Sequence, residues 1–395
     1  MRALLLLPVL FLFSFLNAHS ALPIVQHPSD DNLTSNFAIF RKDQVHSVAY
    51  DLHFEFKKES KSYHGKAILN IELSRRDAPL SIDFLWKKIN SLKVNEQPLT
   101  KYKRGKGHFE IPKNRLFRHV MIEVDYTNEF SQTGDGISKT KDPEDNNEYI
   151  ATDFEPYMAH SLFPCFDQPD LKASYKVSVV IPKDWKAISN DLIDQKSESS
   201  EMATHYFKKT KPFSTYLFFL AVGPYEEWTD KVGDIPLFLY ARKTLAKYVD
   251  DERIFEVTKR GLRFYTEYFE IPYPFSKYGQ IFIPEFSWGG MENPGAIALQ
   301  ENNIFREAVS KTRMDNRDNL ILHEMAHMWF GDLVTMKWWN DLWLNESFAS
   351  FIATVAMDQA MGAKSAWLDF AGDKGWGYWQ DQLVTTHPIE TVVTD

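Results

Sequence analysis

His323-Glu324-Met325-Ala326-His327, followed by Glu346 in Leu344-Asn345-Glu346-Ser347, is the stretch around which the rest of the sequence can be placed. On a helix each residue turns about 100° and rises about 1.5 Å, so residues four apart stand one turn above another. His323 and His327 therefore present two imidazoles on one face, the spacing that holds a tetrahedral zinc, with Glu324 aimed as a general base. Glu346 can supply a third ligand from a second helix expected to begin near Leu344. Two imidazoles and a carboxylate leave one position open, the pattern of a catalytic zinc rather than a closed structural one. One Zn2+ per chain is the expected cofactor and a zinc peptidase the expected chemistry. His and Glu are common on helices, so the five-residue pattern alone is moderate support. Its weight comes from Glu346 at the expected distance and from a second motif upstream.

The chain of 395 residues exceeds one ordinary domain, so two are expected. Apolar content of 44% with 15% aromatics is ample for real cores and argues against disorder. A net charge of −9 gives neither a basic footprint for nucleic acid nor a polybasic membrane patch. At the N-terminus, Arg2, the apolar run Leu4 to Leu16 and the small residues around Ala18-His19-Ser20 read as a signal peptide over 1–20. Export to a periplasm or the medium is the expectation. The run is too short to span comfortably and no later stretch reaches about 18 apolar residues, so no integral membrane segment is expected. Cys165 is the only cysteine, which excludes an internal disulfide and predicts a small buried hydrophobe.

From about Val45 to Leu220 the pattern is strand-like. Residues 48–56 and 67–73 alternate apolar and polar, and similar runs recur at 121–126, 175–181 and 215–220. The polar, Gly/Asp/Asn-rich stretch Ser131 to Asn147 predicts a long loop. An antiparallel β-sandwich-like domain over 21–231 follows. After Gly223-Pro224 the character changes, with helical spacing in Thr244 to Glu270 and then the two motif helices, so 232–395 is expected to be mixed α and β. The fold class is α+β, multidomain. Seven of the eleven tryptophans lie from Trp329 onward, a stripe expected to be core or inter-domain packing.

The second motif is Gly289-Gly290-Met291-Glu292-Asn293-Pro294, after the strand-like run 280–284. Two glycines let a substrate backbone approach closely and pair with exposed N–H groups, and Glu292 then offers a carboxylate to a peptide's α-ammonium. Taken alone, an ordinary Gly-Gly turn explains it as well.

With Ala151-Thr152-Asp153-Phe154-Glu155-Pro156 and Phe163-Pro164-Cys165-Phe166-Asp167-Gln168-Pro169-Asp170-Leu171-Lys172-Ala173, these motifs resemble the gluzincin aminopeptidases of the aminopeptidase N type, which include the leukotriene-A hydrolase branch. The resemblance spans nearly all of the mature chain. It implies a saddle-shaped N-terminal β domain, a thermolysin-like catalytic domain, and a zinc exopeptidase acting on peptides with a free N-terminus. It implies that His323, His327 and Glu346 hold zinc, that Glu324 is the base for metal-activated water, and that Glu292 and Glu155 hold the substrate amine. Gly289, Gly290, Met291 and Asn293 belong to the same substrate-binding segment. Asp153 stands where many relatives carry Gln; its carboxylate either sharpens preference for a cationic amine, raises the pKa of Glu155 by like-charge repulsion, or simply caps a turn. The family's catalytic domain continues past this point to a tyrosine in a Tyr-x-Lys-Gly context and a helical C-terminal domain, so an incomplete catalytic domain is expected. Rival functions are a thermolysin-type endopeptidase, an epoxide hydrolase, and a truncated relative that captures peptides without cleaving them. Oligomeric state is not legible.

Overall fold

A computed structural model describes residues 22–28, 32–389 and 391–395; the expected signal peptide over 1–20 lies outside the described residues. The first half is built on an eight-stranded sheet in the order Ile193–Glu198, Met202–Phe207, Ser174–Pro182, Val45–Glu55, Ser62–Leu73, His119–Glu129, Lys88–Val94, Gln97–Pro98. Alternation decides which face is buried. In Val45–Glu55 the residues Val48, Tyr50, Leu52 and Phe54 are buried while their neighbours face outward. The sheet is antiparallel except at its centre, where Val45–Glu55 runs parallel to Ser174–Pro182 in the register Ala49 to Ser174 through Glu55 to Val180.

Two smaller sheets cover it. One is four-stranded, Lys186–Ser189, Leu220–Gly223, Glu148–Asp153 and Gly136–Lys141; the other has three strands, Leu80–Asp83, His108–Ile111 and Lys103–Arg104. The stretch expected as one long loop therefore contains a strand: Gly136–Lys141 pairs along Glu148–Asp153, and the ladder offsets the weak strand propensity of its glycine and lysines. The run 215–220 departs from expectation as well, forming a 3-10 turn at Thr215–Leu217 before the strand. Cys165 is fully buried.

A five-stranded sheet in the order Glu226–Val232, Ile235–Ala241, Tyr278–Ile283, Ile297–Gln300, Gly290–Met291 opens the second half, and the expected boundary at 231/232 falls within its first strand. Helices α1 (Ser35–Gln44), α2 (Asp251–Phe269), α3 (Lys311–Ala326), α4 (Leu342–Gln359) and α5 (Ala366–Gln380) complete the fold. Asp250 caps α2 through the Arg253 N–H at 3.4 Å, and Ser310 caps α3 through the Arg313 N–H at 3.3 Å. The two helices approach closely because Gly261 of α2 has no side chain: a Cβ there would lie 2.6 Å from Leu322 Cδ2 of α3. Tyr265 then donates to the Leu322 carbonyl at 2.9 Å, and Arg253 pairs with the buried Asp318. This packing holds α3 rigid beneath the site.

Of the seven late tryptophans, Trp329 and Trp338 are buried and Trp339 packs edge-on against Tyr216 of the first half. Trp343, Trp367, Trp376 and Trp379 are exposed, which corrects the expectation of packing for that stripe. The reason is geometric: α5 rests on α4, and of its own residues only Ala366 is buried. No helix among the described residues is long and apolar enough to cross a membrane.

Candidate active site

Helix α3 ends at Ala326, so His323 sits in its last turn and His327 at its cap, both turned toward the first turns of α4. Nε2 of His323 and Nε2 of His327 lie 3.0 Å apart. Glu346 reaches them from α4, with Oε2 at 3.3 Å from His323 Nε2 and Oε1 at 3.7 Å from His327 Nε2. Ligand atoms on a tetrahedral zinc are separated by about 3.3–3.5 Å, given metal–ligand distances of about 2.0–2.2 Å. The two Nε2 atoms and a Glu346 carboxylate oxygen could thus hold one zinc, and such a set of two imidazole nitrogens and one carboxylate oxygen would leave a fourth position open.

Hydrogen bonds behind the ligands set their protonation. His327 Nδ1 faces two acceptors, Asn345 Oδ1 at 2.8 Å and the Phe330 carbonyl at 3.0 Å, so it carries the hydrogen and leaves Nε2 with a free lone pair. Ser350 Oγ lies 3.4 Å from His323 Nδ1. Asn345 also donates through Nδ2 to Glu292 Oε1 at 3.2 Å and Glu346 Oε1 at 3.3 Å, tying His327 and both glutamates into one unit.

Glu324 is buried beside this cluster and packs against the glycine motif. A Cβ on Gly290 would stand 2.3 Å from Glu324 Oε1, so only glycine lets the strand Gly290–Met291 pass so near the carboxyl. That strand pairs with Ile297–Gln300 through Gly290 to Leu299 and Met291 to Ala298, and places Glu292 at the start of the turn. Glu155 enters from the opposite side, just after the strand Glu148–Asp153. Glu155, Gly289, Gly290, Glu292, His323, Glu324, His327 and Glu346 all line one cavity of about 680 Å³. Met291, Asn293 and Asp153 are absent from its lining. Met291 packs into the core of the first half, Asn293 donates to the Leu217 carbonyl at 3.3 Å, and Asp153 is buried under Trp288.

The cavity is strongly acidic. Burial raises Glu155 to about 9, with the Glu292, Glu346 and Asp153 charges adding to it. Burial likewise lifts Asp153 to about 7, helped by Asp135 and Glu292, and pushes Glu324 well above the carboxylate range. Burial opposes the His327 cation, yet the charges of Glu292 and Glu346 hold its pKa above the ordinary value. Carboxyls crowded this closely ionise together only when cations share the space. A divalent ion is a cation of the required kind.

Asn345 was legible only as a neighbour of Glu346, and its bridging role is visible only once the helices are packed. Tyr216 was not singled out in sequence: it is fully buried, its hydroxyl has no hydrogen-bond partner among the described residues, and the charges of Glu292, Asp332, Glu155 and Glu346 all act on it. No local signal marks it, because it comes from a 3-10 turn in the other domain.

Comparison with known proteins gives the family. Residues 46–217 match the Peptidase M1 N-terminal domain and residues 253–395 match the Peptidase family M1 domain. The chain is 37% identical over 362 residues to aminopeptidase N of Streptomyces lividans, covering 89% of this chain and 41% of that protein. It is 36% identical over 351 residues to tricorn protease-interacting factor F2 of Thermoplasma acidophilum, covering 88% and 43%. It is also 30% identical over 371 residues to glutamyl aminopeptidase of Rattus norvegicus, covering 84% and 37%. The chain thus spans about two fifths of the length of these curated relatives. A β-rich first half and a mixed second half, each matched by its own domain of one family and joined at the cavity, place this chain in peptidase family M1.

Proposed function

We propose that this chain carries the catalytic centre of a zinc aminopeptidase, which removes single residues from peptide N-termini. The observation that carries the reading is the cavity itself. His323 Nε2 and His327 Nε2 lie 3.0 Å apart, the two carboxylate oxygens of Glu346 reach them at 3.3 and 3.7 Å, and Glu155, Glu292 and the buried Glu324 line the same space. His323, His327 and Glu346 would hold the metal. Bound there, zinc supplies a Lewis acid that polarises a carbonyl and brings the pKa of a water towards neutrality.

The chain's own residues do the remainder. Glu324, buried and free of ion-pair partners among the described residues, is placed to take a proton from water and return it to the leaving amine. Gly290 lets Glu324 and a substrate backbone occupy adjacent space. Glu155 and Glu292 are placed to grip an α-ammonium, whose pKa of about 8 keeps it charged at neutral pH. Their grip fixes the register and disfavours internal bonds, in keeping with the names of the aminopeptidase relatives and against an endopeptidase. Export through the 1–20 segment belongs to the same proposal, and N-terminal sequencing of the mature product from its host tests it.

The decisive experiment measures zinc per chain together with hydrolysis of leucine p-nitroanilide and its N-acetylated counterpart. One zinc with cleavage of the free amine alone supports the reading. Equal cleavage of the acetylated substrate would make the chain an endopeptidase; one zinc and peptide binding without turnover would make it a capture protein.

A further inference from the structure

The hairpin carrying Gly290 and Glu292 turns back through residues 293–296, and each carbonyl from Asn293 to Gly295 is held in place. The Asn293 carbonyl accepts the Ala296 N–H at 2.9 Å. The Pro294 carbonyl accepts Asn190 Nδ2 at 3.1 Å. The Gly295 carbonyl accepts two donors, the Gly279 N–H at 3.1 Å and Lys277 Nζ at 2.6 Å. Both side chains are buried, Asn190 at 4% exposure and Lys277 at 4%.

Asn190 belongs to the first half of the chain. Its amide also donates to the Leu217 carbonyl at 3.0 Å and accepts the Phe219 N–H at 2.8 Å, so it cannot turn away from the hairpin without losing three bonds. Gly295 has φ +69°, and a Cβ there would stand 2.4 Å from the Asn190 carbonyl oxygen. The turn is therefore seated directly on the other domain. Lys277 precedes the strand Tyr278–Ile283 and approaches the same turn from the second half. Asp191 is the acidic group acting on it, and the Asp191 carboxylate is engaged by the Ser276 hydroxyl at 2.6 Å. Burial of a lysine without a contacting counter-ion is costly. The Gly279 N–H already satisfies the Gly295 carbonyl, so the Lys277 amine adds a fixed post under the turn rather than rescuing an orphan.

We propose that Lys277 and Asn190 are positioning residues for Glu292. They fix, from opposite domains, the turn that follows it, and so hold its carboxylate where a substrate α-ammonium docks. The inference rests on the aminopeptidase reading above.

The test uses the full 395-residue chain, zinc-loaded, with Lys277→Met, Asn190→Ala and a control core variant, Val257→Ala, in α2. Calorimetric titration with L-leucinamide and with N-acetyl-leucinamide is run beside zinc analysis, melting temperature, and KM and kcat on leucine p-nitroanilide. In both positioning variants, affinity for L-leucinamide should fall roughly tenfold, the lower end of what residues supporting a site contribute. KM should rise to match, kcat should stay within about threefold, and zinc should remain at one per chain. N-acetyl-leucinamide should bind as it does to wild type, and Val257→Ala should lower the melting temperature without moving KM. Affinity for L-leucinamide within twofold of wild type in both variants would overturn the proposal, as would equal losses for the two ligands. If Lys277→Met does not fold, Asn190→Ala decides the matter alone. A wild-type chain that neither binds nor hydrolyses a free-amine compound sinks the aminopeptidase reading and this inference with it; wild-type binding with unaffected variants sinks this inference only.

Discussion

Glu324 and Gly290 form the tightest constraint in the cavity, because a methyl group on Gly290 would overlap the Glu324 carboxylate. On the proposed reading, Gly290→Ala should therefore displace Glu324 and cut kcat on leucine p-nitroanilide, while zinc, which side chains on α3 and α4 would hold, stays at one per chain. Glu324→Gln keeps the volume and removes the carboxylate proposed as the base. Turnover should drop by a factor of about 10²–10⁴ with zinc content unchanged, and retention of wild-type turnover would remove Glu324 from its role. Two histidines far from the cavity set a pH limit. Burial lowers His108 to about 4, with His27 stacked on it at 3.6 Å, and burial with nearby Lys196 lowers His205 to about 4. In the unfolded chain both titrate near 6.5, so between pH 6.5 and 4 the unfolded state binds more protons. Stability should be fully present above about pH 6.5 and be lost as pH falls through that window. Urea midpoints measured across it would show the slope, and His108→Asn should flatten part of it.

At the scale of the element, α2 and α3 meet through Gly261, whose missing side chain admits Leu322 and Met325. Gly261→Val should overpack this contact and cost about 1–3 kcal/mol in urea unfolding. Helix α5 is the opposite case. Trp376 is 65% exposed and Trp379 57%, so replacing both by Ser should move stability by less than about 0.5 kcal/mol. Elements with strong period were legible in the sequence: the strands over 45–55, 62–73 and 174–182, the helix over 251–269, and the motif helices. Gly136–Lys141 was not, because a strand of glycine, serine and lysines is held by its neighbour's ladder rather than by its own pattern. The closeness of His323, His327 and Glu346 could be read because the two histidines share a helix and Glu346 follows at a fixed distance. Tyr216, Asn190 and Lys277 could not, since tertiary packing alone brings the first within range of the cavity's charges and the other two against its hairpin.

Across the whole molecule, the cavity is a joint product of both halves: Glu155 comes from the first, and His323, His327 and Glu346 from the second. Lys172 strengthens that joint by donating to the Asp332 and Leu333 carbonyls at 2.8 and 3.0 Å. Because zinc would bind only the folded arrangement of α3 and α4, adding it at a hundredfold excess over its dissociation constant should stabilise the chain by about 2.7 kcal/mol. Chelation should reverse the gain, and a melting temperature indifferent to zinc would count against the triad as a site. The parallel pair at the heart of the large sheet carries a consequence for biosynthesis. Ala49 pairs with Ser174, a separation of 174 − 49 = 125 residues. At ribosomal speeds of about 5–20 residues per second, one edge of Val45–Glu55 waits roughly 6–25 s for its partner to be made. Through that interval the nascent polypeptide displays an open apolar ribbon, the kind of surface that invites mispairing between neighbouring polysome products and engagement by holdase chaperones.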